Sequence, residues 1–368
     1  MRQVTFYLWA TFIAVHPVHA LEHDMALPHD PPPASLRDNG THRFGTYSAA
    51  ISHINPLRDH SKLAARLDNF RLKEWEAFQL GNDEWFLCGA VYDTKTLGLL
   101  QIIAVHLPTK RIIRWLQRVP TWKLHVARGL SGTSTSGQSN RFSIRMDNDV
   151  PDGTIYITAT HQRSAKLPQL QLDISGRCSD TEAGHLVIVH PFSDTTALYS
   201  HKAMMPASAT MTIDDERIDF DSERSFLLLD DHKGQYPSPM KYDWVTGATR
   251  TNNGGVLGFN LTANQIQNPE LYNENAIFLD NSVHRLGPVT FERPNGVDRP
   301  WHITDTEGRV DVWFSPDVSS EIHVGPRRLL AEYFGPYGTF TGTLRDNNGD
   351  KIDIAGIHGM GEQKLIRV

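Results

Sequence analysis

The feature that most constrains this chain is a repeated cadence of short aromatic and β-branched runs. Gly, Asn, Asp and Pro cut these runs at intervals of about ten to twelve residues. Trp75–Leu80, Trp85–Tyr92, Gly98–His106 and Arg111–Gln117 are separated by Gly-Asn-Asp, Asp-Thr-Lys and Pro-Thr-Lys. Arg141–Met146, Gly153–Thr160, Leu170–Ser175 and His185–His190 continue the pattern, with Pro151-Asp152-Gly153 as a turn in which proline presets φ and glycine permits the left-handed region. Thr210–Ile213, Arg217–Phe220, Phe226–Leu229, Tyr242–Val245, Val256–Leu261, Asn275–Leu279, Val289–Glu292, Val310–Phe314, Leu330–Phe334, Phe340–Leu344 and Lys351–Ile354 repeat it. Beyond the N-terminal segment no run keeps helical periodicity over three turns, and strands do not alternate with helices. An all-β fold of antiparallel strands follows, closed as barrels or sandwiches because sheets of this size need their edges covered. Leu63–Phe70, with Leu63 and Leu67 one turn apart, is the best candidate for a short helix.

At 368 residues two domains are expected. A break is placed near Met204–Ala209, where Pro206 and small residues interrupt the cadence, giving domains 44–205 and 206–368. Arg2, the apolar run Val4–Val15 and the small residues of Val18-His19-Ala20 read as an export signal over 1–20. That run is too short to span a bilayer, so the mature chain is expected to lack a membrane span and to be periplasmic or secreted; without a signal it is cytoplasmic. Residues 21–43 read as a Pro- and His-rich extended lead-in. A net charge of −6 without a basic run argues against nucleic acid as a partner. The eighteen histidines are scattered and read as composition, so no metal is expected. Cys88 reads as a buried small hydrophobe and Cys178 as a turn residue, with a disulfide between them left open. Asp346-Asn347-Asn348-Gly349-Asp350 reads as a hairpin turn, since an EF-hand would need flanking helices and a glutamate in register.

Chemistry concentrates at Phe226–Gly247. An apolar strand delivers Asp230, Asp231, His232 and Lys233 into a Gly/Pro-rich turn, and the chain returns through Tyr242, Asp243 and Trp244. A polar site at a strand end is the functional reading; a solvated hairpin is the plain one. Two His-Lys pairs, His201-Lys202 and His232-Lys233, suggest two strand ends facing one cavity, with one residue of each pair pointing inward. Histidine is the better inward candidate, and a neighbouring carboxylate such as Asp231 or Asp243 would raise its pKa and make it a proton donor. Asn260, Asn264, Asn273 and Glu274 supply fixed donors and acceptors beside strands, or are loop chemistry; Asn260-Leu261-Thr262 is also a glycosylation sequon. No G-x-S-x-G, P-loop, strand-linked G-x-G-x-x-G or C-x-x-C occurs, which leaves proton transfer without nucleotide, metal or covalent attachment.

The segments Leu229-Asp230-Asp231-His232-Lys233-Gly234 and Tyr242-Asp243-Trp244-Val245-Thr246-Gly247 resemble domain of unknown function family 2804. So do Arg71-Leu72-Lys73-Glu74-Trp75, Tyr199-Ser200-His201-Lys202, Gly258-Phe259-Asn260-Leu261-Thr262, Tyr272-Asn273-Glu274-Asn275 and Gly359-Met360-Gly361-Glu362. The resemblance runs from about Phe44 to the C-terminus and confers no activity. More distantly, Asp-His followed by a glycine and an Asp-Trp strand is similar to carotenoid 1,2-hydratases. That likeness implies two tandem lipocalin-like barrels and cofactor-free hydration of an isolated alkene. It implies an acid group of Asp231, His232, Tyr242 and Asp243, with Trp244 lining the cavity; Lys233 and the turn Gln235–Lys241 depart from that pattern. The expectation is a cofactor-independent hydratase, lyase, isomerase or cyclase on an unsaturated apolar small molecule. His232 or Asp231 is its acid, Asp243 the orienting partner and His201 the water-positioning group. Lys202, Lys233, Asn260, Asn264, Asn273 and Glu274 are candidate ligand-binding residues. Two other readings stay open: a lipocalin-like carrier of lipid or pigment, and a carbohydrate-binding or carbohydrate-processing protein.

Overall fold

The computed structural model describes residues 30–57, 68–179, 182–324 and 331–367. It is built almost wholly of antiparallel strands, with a nearly closed barrel-like sheet followed by a half-barrel. The expected all-β tandem architecture is therefore the one observed. In the first sheet Leu72–Gly81, Trp85–Asp93, Gly98–His106 and Arg111–Val119 run outward from one side of Phe226–Gln235. Thr196–Ile213, Leu170–Arg177, Thr154–His161 and Phe142–Asp149 run outward from the other. Strands facing water on one side keep the expected alternation. In Thr154–His161, Ile155, Ile157 and Ala159 turn inward, and Tyr156 and Thr158 turn out. The inward set meets Phe78, Leu100 and Trp115 from the opposite flank, which makes the first sheet a filled barrel.

The second sheet is organised on Met240–Arg250, which pairs with Val256–Asn264 on one side and His358–Ile366 on the other. Val245, Phe259, Trp301, Phe314 and Phe340 fill its own core. A third apolar cluster belongs to both sheets: Trp75, Phe86, Met204 and Leu228 from the first pack with Met240, Trp244, Phe278, Tyr337 and Met360 from the second.

The boundary differs from the expected break at 205/206. Thr196–Ile213 runs through Pro206 as one strand of eighteen residues. On one side its partner changes from Gly184–Ser193 to Leu170–Arg177, and on the other from Phe226–Gln235 to Glu216–Phe220. Proline has no N–H for a ladder, so it sits where the ladders change hands. The chain moves from one sheet to the other between Gln235 and Met240.

The export segment and residues 21–29 of the lead-in lie outside the described residues, as do residues 63–67 of the expected helix; residues 68–71 are helical. From residue 30 the lead-in is tied down rather than extended: Leu36 is buried against Tyr47, Val187 and Tyr199, and Arg37–Asp38 pairs with Thr41–His42. Cys88 and Cys178 are both buried, and no disulfide joins them. Asp346–Asp350 is a hairpin turn between Tyr337–Arg345 and Lys351–Asp353. Among the described residues no helix is long and apolar enough to cross a membrane.

Candidate functional site

Every residue of Phe226–Gln235 is buried, because one face of the strand fills the barrel and the other packs towards the second sheet. Alternation then sorts its polar residues into two separate groups. Asp230 and His232 turn towards the second sheet; Asp231 and Lys233 turn into the barrel. The flanking strands obey the same phase. His232 lies in register between Ser200 and Trp75, and Asp230 between Lys202 and Ala77. On the opposite face Asp231 lies between His201 and Glu76, and Lys233 between Tyr199 and Glu74.

The group facing the second sheet is a compact ionic cluster. Lys202 Nζ donates to Asp230 Oδ1 at 2.6 Å and stands 3.4 Å from Glu274 Oε2. His232 Nε2 lies 3.0 Å from Asp230 Oδ1 and 3.3 Å from Glu274 Oε2. Ser200 Oγ donates to Glu274 Oε2 at 2.7 Å and is 2.9 Å from His232 Nε2. The Trp75 ring stacks on the His232 imidazole with centroids 4.7 Å apart, and its Nε1 donates to Asp230 Oδ2 at 3.4 Å. Tyr236 OH is 3.3 Å from His232 Nδ1.

From the second sheet, the Tyr242 hydroxyl donates to Glu274 Oε1. The ring of Trp244 lies under the Lys202 ammonium at 4.9 Å, and Trp244 Nε1 donates to Asn260 Oδ1 at 2.6 Å. Asn260 Nδ2 in turn donates to the Glu274 carbonyl at 2.6 Å, which fixes the loop that brings the Glu274 carboxylate inward. Asp230, Lys202, Tyr242 and Trp244 face a cavity of about 230 Å³, whose other walls include Trp75, Tyr92, Tyr333 and Met360. A second ion pair, Lys364 with Glu362 at 2.7 Å, stands on the same wall.

The electrostatics of the cluster are mutual. Burial favours the neutral carboxyl of Asp230, but Lys202 and His232 outweigh it and hold the group well below the usual carboxylate range. Glu274 is likewise held low, with Lys202 and His232 overcoming its burial. Burial pushes the His232 imidazole down and the Lys202 ammonium opposes its charge, yet Asp230 and Glu274 leave its pKa raised. Lys202 is raised as well, since Asp230 and Glu274 outweigh its burial. The preferred state is two carboxylates with two cations, balanced in charge. Beside it the buried His190 is pushed down to about 4 by burial and stays neutral. Burial and the neighbouring Glu274 keep the Tyr242 hydroxyl protonated.

The barrel-facing group is different. Lys233 donates to Asp231, and Thr135 donates to Glu76. Lys233 pairs with Asp231, and its charge reaches Glu76 without an ion-pair contact. Burial, reinforced by Asp231, pushes Glu76 up to about 7, and burial raises Asp231 too. His201 contacts His185 at 3.1 Å and Tyr199 OH at 3.4 Å; burial, then His185 and Lys233, push its pKa well down.

The structure therefore brings together His232, Tyr242, Trp244, Lys202, Glu274 and Asn260 from the candidate list. It places Asp231, Lys233 and His201 on the far side of the strand, because adjacent residues of a strand cannot share a face. Asp243 points away from the cluster and pairs with Arg293 at 2.9 Å, so it does not orient His232. Asn264 accepts from the Ile266 N–H, and Asn273 bonds the Pro269 carbonyl and the Asn275 N–H; both shape loops around Glu274. Asn260 is fully buried, which disposes of the sequon as a sugar acceptor. Sequence reasoning left Asp230, Ser200, Trp75, Tyr236 and Lys364 off the candidate list. The alternation that pairs Asp230 with His232 was the available signal for the first; nothing local marks Lys364 except its spacing of two from Glu362.

A family model described as a domain of unknown function (DUF2804) matches residues 35–367. No curated protein sequence matches the chain. Among solved structures, kievitone hydratase from Nectria haematococca is similar with a TM-score of 0.50 at 10% identity, over 93% of this chain and 94% of that one. CghA is similar with a TM-score of 0.47 at 11% identity, over 81% and 88%. At 10% identity the likeness to the hydratase structure is one of fold, and it agrees with the tandem double barrel seen here.

Proposed function

The chain belongs to domain of unknown function family 2804, and for it we propose a cofactor-independent acid–base enzyme acting on an unsaturated small molecule in the cavity between the sheets. One observation carries this: four ionisable groups of both signs are buried together, Lys202 and Asp230 on the wall of a largely apolar cavity and His232 and Glu274 directly behind them. Stability alone does not account for them. Well-packed apolar side chains in place of a buried ion cluster are commonly neutral or stabilising by about 1–4 kcal/mol. A carrier of an apolar ligand needs an apolar wall and has no use for the cluster.

The roles follow from position. Asp230 meets the substrate. His232 Nε2 is 3.0 Å from Asp230 Oδ1, so a proton held there makes His232 its reservoir. Asp230 hands that proton to an alkene carbon, the π bond supplies the electron pair, and positive charge develops on the adjacent carbon. Trp75, Tyr242 and Trp244 offer their ring faces to that charge, and the carboxylate left on Asp230 stabilises it in a low-dielectric site. Water adds to the cation and returns its surplus proton through Asp230 to His232, which closes the cycle with one water consumed. Lys202 and Glu274 keep Asp230 and His232 in place and in opposite charge states. Hydration is also the reaction class in the name of the kievitone hydratase of similar fold.

The test is incubation with a panel of conjugated and isolated alkenes in water enriched in oxygen-18, read by mass spectrometry. Wild type is expected to incorporate the label, or solvent deuterium where the product isomerises. Asp230→Asn is expected to slow incorporation by roughly 100-fold or more. Compounds retained equally by both proteins, with no isotope entering from either, would convert the assignment to a carrier.

A further inference from the structure

Several of the polar donors around the cavity are already engaged. Trp75 Nε1 is given to Asp230, Trp244 Nε1 to Asn260 and the Tyr242 hydroxyl to Glu274. The Tyr333 hydroxyl is hydrogen-bonded to Glu362. Lys202 donates to Asp230, stands 3.4 Å from Glu274 and lies over the Trp244 ring. Gln101 Nε2 reaches the Cys88 sulfur at 4.0 Å. Two nitrogen donors stand out from the rest. Gln79 is 2% exposed on the cavity wall, and its amide nitrogen has no hydrogen-bond partner among the described residues. Lys364 has an ion-pair partner in Glu362; otherwise its ammonium lies over the rings of Trp75, Tyr242 and Tyr333, at 5.2, 5.2 and 5.8 Å.

A buried N–H without a partner is unfavourable, and a ligand acceptor removes that cost on binding. The sign of the ligand's charge follows as well. Each ammonium at the cavity already has its carboxylate, Lys202 with Asp230 and Lys364 with Glu362, so an anion entering would face both carboxylates with no cation to spare. Resting on the reading of this cavity as the reaction site, we propose that its ligand is a neutral unsaturated compound bearing an oxygen acceptor, a carbonyl or its equivalent. Gln79 Nε2 and Lys364 are the specificity-determining donors for that oxygen. A pure hydrocarbon leaves both donors empty and is rejected.

Three isosteric probes separate the possibilities by equilibrium dialysis: 2-acetylnaphthalene, 2-isopropenylnaphthalene and 2-naphthoate. Wild type is expected to bind the ketone roughly tenfold or more tightly than the alkene, as sites built to hydrogen-bond a group reject analogues lacking it. The naphthoate is expected to bind more weakly than the ketone. Gln79→Leu is expected to bring the ketone to within about threefold of the alkene, with the alkene's own affinity unchanged. Its unliganded melting temperature should not fall, because the change deletes an unpaired donor. Lys364→Met should narrow the gap further, and the paired change Lys364→Met/Glu362→Gln keeps the measurement free of a stranded carboxylate.

An alkene bound as tightly as the ketone, a preference for naphthoate, no binding of the ketone, or an undiminished gap in Gln79→Leu overturns the proposal. Binding needs no turnover. Asp230→Asn, which tests the acid–base reading, is expected to keep the ketone preference, so the failure of one claim is distinguishable from that of the other.

Discussion

At the scale of single residues, Asp230 and Asp231 are chemically identical neighbours with opposite fates. Asp230 is pulled down by two cations beside the cavity, whereas burial inside the barrel pushes Asp231 up despite its pairing with Lys233. The barrel-side carboxyls make stability depend on pH in a direction that can be worked out. Glu76, buried among Asp231, Lys233, Thr135 and Asn148, is raised to about 7 from an ordinary 4.5, so the folded protein holds a proton there that the unfolded chain has released. Its contribution is full below pH 4.5 and is lost as pH rises towards 7. Glu76→Gln removes that dependence. The stability of wild type relative to Glu76→Gln should fall by about 3 kcal/mol across this range, at 1.36 kcal/mol per pKa unit. Urea unfolding of both proteins at half-unit pH steps measures it. Parallel curves would mean that Glu76 is ionised throughout.

At the scale of elements, the site depends on how closely His358–Ile366 lies against Met240–Arg250. Tyr242 is opposite Lys364 and Trp244 opposite Glu362 in that ladder. Gly359, further along the same strand, is pressed between neighbours: a Cβ there would sit 2.0 Å from the Thr246 carbonyl oxygen and 2.7 Å from the Gly247 Cα. Backbone cannot rotate away as a side chain can. Gly359→Ala should therefore destabilise the protein by about 1–3 kcal/mol and weaken ketone-probe binding, since the ladder that aligns Lys364 must open. Unchanged denaturation midpoint and affinity would show that the strands have slack.

Legibility in the sequence also divides by element. Thr154–His161 and Leu170–Arg177 show their inward and outward faces in plain alternation, because one face meets water. Phe226–Gln235 is buried on both, so hydrophobicity gives it no phase, and its polar residues were grouped by proximity along the chain rather than by side. That single ambiguity put Asp231, Lys233 and His201 into the candidate site and left Asp230 out. The recurrence of His-Lys was informative in a way that alternation completes: Lys202 joins His232 on one face, and His201 shares the other with Lys233. Glu274 was legible as a carboxylate among amides. Lys364 was not, because the residues that make it part of the site are distant in sequence.

At the scale of the whole molecule, the question is whether two sheets make one folding unit or two. The connection between them is only the stretch between Gln235 and Met240, and each sheet has its own apolar core. Against independence stands the shared cluster, in which Phe278 and Met360 of the second sheet pack with Phe86, Met204 and Leu228 of the first. The buried charges add to this, since Lys202 and His232 of the first sheet lie against Glu274, which the second sheet holds in place. Parting the sheets would expose that cluster and strand the carboxylate, so neither half retains its stability alone. Unfolding should then be a single transition, with far-ultraviolet circular dichroism and tryptophan fluorescence coincident. Phe278→Ala, a cavity made in the shared cluster, should lower that one midpoint by an amount equivalent to about 3–5 kcal/mol in both signals together. Two separated transitions, with the mutation moving only one of them, would establish two autonomous barrels that meet at the site without depending on each other.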